Sequence, residues 1–214
     1  MASHDGVKDR TYDPGPAAEN GGRTRAGPTG SALFNGPVEA DPGVFVHPRS
    51  DRAAGAETWL ILAARDARQA RREWAEYGVA LLRCGTSFTA VRIPADIVLA
   101  AAGTTDRAAL VTYLTTALDG PCFFDGNGRA FYALTPLSTA HRWDVPETEC
   151  LGADFYLGVP ATTITEPDPR CAAYWVVPMD GPAALCDPAI VRWLVQRGRI
   201  QRSEAAALEA GEDA

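Results

Sequence analysis

Two short apolar runs separated by a turn decide the fold, and they lie in residues 79–94, VALLRCGTSFTAVRIP. Val79 to Arg83 is almost continuously apolar, which is typical of a strand with both faces covered. Phe88 to Ile93 alternates in a way that places successive side chains on opposite faces of a sheet. The stretch therefore predicts two buried strands joined by a turn at Cys84 to Ser87.

A helix precedes these strands, from about Glu57 to Tyr77. Its apolar residues recur at spacings of three and four, as they do along the buried stripe of an amphipathic helix. Gly78 follows in the position of a C′ glycine, and a break near Ala64 would divide the segment into two elements.

The residues after Pro94 supply the rest of the fold. A short helix follows through about Ala102, and Thr105 is the predicted N-cap of the next one. Asp125-Gly126-Asn127-Gly128 predicts a tight hairpin turn, because these residues tolerate positive φ angles. The remaining predicted elements are the hairpin strands at 120–124 and 129–134, further strands at 155–159 and 173–177, and a last helix that begins at Asp187 and ends at Gly198.

This order of elements predicts an α+β domain, because adjacent strands alternate with groups of helices. We expect a mixed or antiparallel sheet of about six strands covered by helices. The domain should span residues 41–200. Residues 1–40 are rich in Gly, Pro and small polar residues, which predicts a disordered tail, and residues 201–214 should form a fraying acidic tail.

Charge and hydropathy limit the classes of function that this sequence can have. The 214 residues carry a formal net charge of −7, which argues against a general nucleic-acid coat. The sequence contains no apolar run of the roughly 18 residues that a membrane span needs. Its start, MASHDGVKDR, lacks the apolar core of a signal peptide, so we expect a cytoplasmic protein without a membrane partner.

The cysteines and histidines predict neither a disulfide framework nor a metal site. The five cysteines are odd in number and form no CxxC pair. The three histidines are scattered along the chain, whereas a structural zinc site needs clustered ligands. We therefore expect the cysteines to be small core residues, with no metal and no cofactor.

Basic residues concentrate on one face of the first helix, at Arg65, Arg68 and Arg72. Acidic residues are interleaved with them, so pairing at i and i+4 on a solvated face is one interpretation. The other is a surface that binds phosphate groups.

The order of several landmarks resembles the amino-terminal domain of bifunctional DNA primase/polymerases, in the archaeo-eukaryotic primase superfamily, and more closely its short, diverged actinobacterial copies. The resemblance runs from Ala70 to Arg199. The segments that carry it are ARREWAEYG, VALLRCGTSFTAVRIP, GPCFFDGNGRAFYAL, LGADFYLGVPAT and AYWVVP, followed by a closing helix. It implies a primase-polymerase-like sheet.

The same resemblance implies that the catalytic groups are missing. In the family, the strand corresponding to TAVRIP ends in a pair of carboxylates that hold divalent metal for nucleotidyl transfer. Here Arg92 and Pro94 stand around those places, and Asp96 lies beyond the strand. The family's histidine on the strand matching RAFYAL is absent. Asp154, in LGADFYLGVP, is the acid available for the third position.

We therefore expect a catalytically inactive primase-polymerase-like domain that has a regulatory or binding role and no catalytic residue. One alternative is a protein-interaction adaptor. Another is a module that binds a nucleotide or nucleic acid through five arginines: Arg65, Arg68, Arg72, Arg92 and Arg129.

Overall fold

A computed structural model describes residues 38–46, 49–169 and 171–212, and within them the chain forms an α+β fold, as predicted. The α-helices are α1 (Arg49–Ile61), α2 (Ala67–Tyr77), α3 (Ala95–Ala102), α4 (Arg107–Leu118) and α5 (Pro188–Glu212). The strands are β1 (Val38–Asp41), β2 (Val44–Val46), β3 (Val79–Arg83), β4 (Thr89–Pro94), β5 (Cys122–Asp125), β6 (Ala130–Thr135), β7 (Glu149–Leu151), β8 (Tyr156–Pro160) and β9 (Ala173–Val177). The predicted tail at 1–40 lies outside the described residues except for the start of β1.

The strands pair antiparallel, which is one of the two arrangements predicted; five of them form the main sheet, and the other described strands form two-stranded pairs. A five-stranded sheet has the order β7-β4-β6-β5-β9, β3 pairs with β8, and β1 pairs with β2. The turn between β3 and β4 carries the chain from one sheet to the other. Gly85 in this turn has φ 77°, and a Cβ there would lie 2.5 Å from Ala153 Cα. Glycine is therefore required for two reasons, the positive φ and the lack of room for a side chain.

Both faces of the five-stranded sheet are covered, each by its own apolar core. The first core contains Phe123 and Trp175 and lies against α1, α2 and the β3–β8 pair. The second core contains Val91 and Ile93 and lies against α3, α4 and α5. The alternation predicted for the second strand is therefore confirmed in β4.

The prediction that both faces of the first strand are covered is wrong. Alternate residues of β3 are exposed, and Leu81 keeps 55% of its accessible surface. The free edge of β3 is nevertheless occupied, since the Leu81 N–H donates to Glu73 Oε2 at 3.1 Å and the Arg83 N–H donates to Ala63 O at 2.8 Å. The α1–α2 segment thus covers an edge that would otherwise be open to another strand.

The predicted break near Ala64 is confirmed, since α1 ends at Ile61 and α2 begins at Ala67. Asp66 caps α2 by accepting hydrogen bonds from the backbone N–H groups of Arg68 and Gln69, at 2.8 and 3.1 Å.

The N-cap of α4 is Asp106 rather than Thr105, and its side chain accepts from the Ala109 N–H at 2.8 Å. In the β5–β6 hairpin, the residue with a positive φ is Arg129, at 46°, rather than a residue of the Asp-Gly-Asn-Gly segment. The predicted hairpin turn itself is confirmed at residues 126–129, and within it Asp125 Oδ1 accepts from the Asn127 N–H at 3.0 Å.

The last helix does not end at Gly198, and the described part of the expected tail, residues 201–212, continues it. Gly198 lies where α5 crosses α3, and a Cβ there would be 2.1 Å from Ile97 O. Beside the crossing, Arg197 Nε donates to Ala101 O at 3.3 Å, near the end of α3. The glycine is therefore a close-packing residue, whereas the sequence pattern suggested a helix end.

Ion pairs hold the second half of α5 to the rest of the domain. Arg202 donates to Asp96 Oδ2 at 2.5 Å and also to Glu147, which accepts from Arg199 Nε at 2.7 Å. The hydrogen bonds from Arg199 and then Arg202 lower the pKa of Glu147 below its ordinary value. We call this group the Glu147 clasp.

Candidate functional site

A cavity of about 380 Å³ opens on the second-core side of the five-stranded sheet, where the β5–β6 turn lies near α3 and the start of α4. Apolar side chains of α3 and α4 form part of its wall. We call it the arginine–aromatic cavity after its other residues: Arg107, Phe124, Arg129, Phe131 and Tyr174.

Three aromatic side chains from adjacent strands form one wall. Phe124 of β5 pairs in register with Phe131 of β6 and with Tyr174 of β9, so all three project from the same face. The ring centroids of Phe124 and Phe131 are 4.8 Å apart, and those of Phe124 and Tyr174 are 5.8 Å apart. Phe124 and Tyr174 are only half-buried, which leaves aromatic surface open to the cavity.

Arg107 is held in place at the start of α4. Its guanidinium lies 5.3 Å from the centroid of the Tyr174 ring, and Nη2 donates to Thr165 O at 3.0 Å. Glu166 Oε1 is 3.9 Å from Nη1 and is itself largely exposed, so this ion pair is weak. The positive charge is thus positioned by the aromatic ring and the carbonyl more than by an acid.

Arg129 is positioned by its backbone. Its left-handed φ of 46° and the hydrogen bond from the Ala95 N–H to its carbonyl, at 3.0 Å, fix the turn against the start of α3. Among the described residues its side chain makes no ion pair. The cavity lining includes both arginines and no acidic residue, so an anion there would face two guanidinium groups, with Glu166 outside the lining beside Arg107.

The predicted arginine face on the first helix does not contribute to this cavity. Arg65 lies in the α1–α2 connection and lines a different cavity of about 340 Å³, together with Asp66 and Glu73. Arg68 and Arg72 are exposed on α2. Backbone hydrogen bonds from Gln69 and Arg68, and then the nearby Arg72 and Arg68 charges, lower the pKa of Asp66. The positive charge of this arginine face is therefore partly balanced by the neighbouring carboxylates.

Arg92 lies on the opposite face of the sheet from the cavity. It pairs in register with Tyr132 of β6 and Glu149 of β7, and Tyr132 stacks on Phe123 of the first core at 5.0 Å. Arg92 is half-buried beside this aromatic pair. The five predicted arginines thus occupy three places, and of them only Arg129 lies at the arginine–aromatic cavity.

The acids considered for metal binding are apart from one another. Asp96 is bonded to Arg202 in the Glu147 clasp, and Asp154 lies exposed in the turn between β7 and β8. Across residues 38–46, 49–169 and 171–212, no three His, Cys, Asp or Glu side chains come together in a group that could hold a metal ion.

Sequence reasoning missed Arg107 and the three aromatic residues of the cavity. The hairpin prediction contained a signal for two of them, because a turn centred on residues 126–129 pairs Phe124 with Phe131. Arg107 and Tyr174 reach the cavity from α4 and β9, and no local pattern connects them with the hairpin.

Comparisons with known proteins add no identification. No protein-family model matches the chain, and neither a curated protein nor a solved structure matches it. The likeness to primase-polymerases therefore stays a prediction from sequence landmarks. Among the described residues, no helix has the length and apolar character needed to cross a membrane.

Proposed function

We propose that this domain binds a flat organic anion in the arginine–aromatic cavity, and that a nucleotide is the ligand. The observation that carries the proposal is the presence of Arg107, Arg129 and a three-ring aromatic wall around one cavity without an acidic residue. The base would pack on the open surface of Phe124 and Tyr174, and the phosphate would lie between the two guanidinium groups.

The energetics of such groups favour a nucleotide over a simple anion. Stacking of a base on aromatic side chains contributes roughly 1–3 kcal/mol, and hydrogen bonds to charged groups contribute about 1.5–3 kcal/mol. A cavity of about 380 Å³ falls within the range typical of small-molecule sites, and its mostly apolar wall with few polar groups fits the same class. Inorganic phosphate would use only the arginines and should bind more weakly.

We also propose that the domain does not catalyse nucleotidyl transfer and is an inactive primase-polymerase-like domain with a regulatory or binding role. This is supported by the engagement of Asp96 with Arg202 and by the position of Asp154 in an exposed turn. The predicted cytoplasmic location belongs to the same proposal. Primer extension with Mg²⁺ or Mn²⁺ that is abolished by Asp154→Ala would contradict this part.

Calorimetric titration with a nucleoside triphosphate and with the matching nucleoside tests the binding part. Arg107→Gln and Arg129→Gln should each weaken triphosphate binding about tenfold or more, since 1.4 kcal/mol corresponds to a factor of ten. Nucleoside binding should change less. Arg68→Gln and Arg72→Gln are matched controls on α2 and should leave the affinity unchanged.

Two results would overturn the binding proposal. One is undetectable binding of nucleotides to the wild-type protein at millimolar concentration. The other is an equal loss of affinity in the α2 controls, which would indicate diffuse attraction to surface arginines. Affinity in the wild-type protein should also fall as salt rises, because phosphate contacts are screened.

The adaptor alternative has one structural feature in its favour. Large apolar side chains are exposed around the β3–β8 pair, including Tyr77 at 56%, Leu81 at 55% and Tyr156 at 49%. Groups of this kind on one surface are typical of protein contacts. A double substitution of Leu81 and Tyr156 by serine should then abolish binding to a partner while nucleotide affinity stays unchanged.

A further inference from the structure

The outward face of α5 carries an apolar stripe that no other described element covers. Its members keep between 39% and 72% of their surface exposed, and they are Ile190, Trp193, Ile200 and Leu208. Their spacings of three, seven and eight residues place all four on one side of an α-helix. The residues that α5 contributes to the second core, such as Leu194, lie on the other side. We call the exposed face the α5 stripe.

The last part of α5 extends beyond the rest of the domain. Arg202 of the Glu147 clasp is the last residue of the helix that bonds to another described element. Residues 203–211 are all exposed. A helical segment of this length gains little stability without packing, and this one carries the most exposed residue of the stripe, Leu208. The segment therefore offers an apolar surface to a partner.

Two opposite charges lie on the same stripe. The Arg197 guanidinium is 5.7 Å from the centroid of the Trp193 ring, and its Nε donates to Ala101 O at 3.3 Å. In the part of the chain that the structure describes, neither Arg197 nor Glu204 makes an ion pair. The two residues are two helical turns apart, about 10 Å along the axis, and do not pair with each other. The stripe thus presents a positive and a negative charge at separate positions.

A second copy of α5, packed antiparallel, matches this pattern in one register. With the two-fold axis just after Ile200, Arg197 lies opposite Glu204 of the second copy, and the symmetry repeats the pair. The same register places Trp193 opposite Leu208 of the second copy. Two ion pairs and two apolar contacts then cover the stripe on both copies.

Other arrangements of the two helices bring like charges together. A parallel copy would place Arg197 opposite Arg197 and Glu204 opposite Glu204. An antiparallel copy that paired Ile200 with Leu208 would have two Glu204 carboxylates at its axis. Charges beside an apolar seam determine the orientation and register of paired helices. The charges of the stripe therefore favour a single arrangement.

The extended end of α5 fits the same arrangement. In this antiparallel pair, segment 203–211 of each copy lies along the first half of α5 in the other copy, where Trp193 is exposed. The segment that lacks packing within its own domain thus packs on the half that its own domain supports.

We infer that α5 is the interface of an antiparallel homodimer, in which a second copy of this chain covers the α5 stripe. A single pair of helices is a small interface, of the size found in weak and transient complexes. The dimer should therefore form reversibly, with a dissociation constant in the micromolar range. The inference does not depend on the proposed function.

Sedimentation equilibrium of the full chain measures the dimer at low salt, where charge pairs are least screened. Leu208→Ser should raise the dissociation constant at least tenfold, because the leucine loses its contact with Trp193 of the other copy. Leu81→Ser is the matched control, since it removes another exposed leucine, from the β3–β8 pair, and should leave the dissociation constant unchanged.

Exchange of the two charges tests the register. Arg197→Glu and Glu204→Arg each replace two attractive contacts by two repulsive ones, so each variant alone should dimerise at least tenfold more weakly. The double variant restores both contacts with the signs exchanged and should dimerise as the wild-type protein does. An equimolar mixture of the two single variants should form a heterodimer, because both contacts between unlike copies then join opposite charges.

Three outcomes would overturn the inference. The first is a wild-type protein that stays monomeric at millimolar concentration. The second is an equal effect of Leu81→Ser and Leu208→Ser, which would place self-association elsewhere. The third is a double variant, folded by circular dichroism, that dimerises as weakly as the single variants do. Nucleotide affinity should be unchanged in Glu204→Arg and Leu208→Ser, because α5 contributes no residue to the arginine–aromatic cavity, so this inference and the proposed function fail separately.

Discussion

Replacement of Gly198 by alanine should destabilise the protein, although alanine is the better helix former. A Cβ at this position would lie 2.1 Å from Ile97 O and 2.9 Å from Ile97 C, whereas ordinary contacts of a Cβ begin at 3.4 Å. The difference indicates that α5 and α3 would have to separate by about 1.3 Å at the crossing. Because the atoms that are met belong to the α3 backbone, no side chain can rotate to make room.

The net effect is the difference of two terms. Alanine is favoured over glycine by about 1 kcal/mol in a helix interior. Overpacking of a core contact costs about 1–3 kcal/mol, and here it should be at the upper end because two backbones must move. The separation would also lengthen the hydrogen bond from Arg197 Nε to Ala101 O, which is already 3.3 Å. We expect the free energy of unfolding to fall by about 1–2 kcal/mol.

Gly211→Ala is the matched control, because it lies in the same helix and a Cβ there would have nothing within 4 Å. It should be neutral or raise the free energy of unfolding by up to about 1 kcal/mol. Urea denaturation measured by circular dichroism gives both values, provided that the slope with denaturant is unchanged. If Gly198→Ala raised the urea midpoint as Gly211→Ala does, the close crossing would be wrong, and a helix end at Gly198 would again be the better explanation.

Three further predictions concern other parts of the domain. Glu147→Gln should lower the urea midpoint at pH 7 and have a smaller effect at pH 3. The pKa of Glu147 is depressed in the folded state, so the stability that the clasp contributes is present above the ordinary pKa of 4.5 and is lost as the pH falls through the folded-state pKa. An equal effect at both pH values would contradict an ionic clasp. Iodoacetamide at pH 8 should modify the half-buried Cys150 before Cys186, because burial raises the Cys186 pKa to about 12, and peptide mass spectrometry would show the reverse order if this were wrong. Glu73→Ala should lower the free energy of unfolding by about 0.5–1.5 kcal/mol, because the edge of β3 loses its hydrogen bond, whereas Glu76→Ala should have almost no effect; equal urea midpoints for the two variants would exclude that role.

Local sequence patterns predicted the helices and strands better than they predicted which elements pack against one another. The alternation of β4 and the position of the β5–β6 hairpin follow from neighbouring residues, and both are confirmed. β3 was expected to be covered on both faces because its residues are apolar, yet Leu81 is exposed. The reason is that β3 and β8 form a layer outside the five-stranded sheet: Ala80 and Leu82 on its inner face pack into the first core, and none of the described elements covers Leu81 on its outer face. Gly198 is a second case. A residue without a Cβ suits both a helix end and a close helix crossing, so the sequence pattern alone did not distinguish the two.

The arginines show why a site was harder to predict than a fold. Helical spacing grouped Arg65 with the α2 arginines, but such spacing describes only one element. The arginine–aromatic cavity instead combines Arg107 from α4 with Arg129 from a hairpin turn, and the pairing of β9 with β5 adds Tyr174. These contacts depend on long-range pairing, which no short pattern encodes. It follows that the nucleotide proposal depends on the geometry of the cavity and would stand even if the likeness to primase-polymerases proved wrong, whereas the proposal of lost catalysis depends on that likeness.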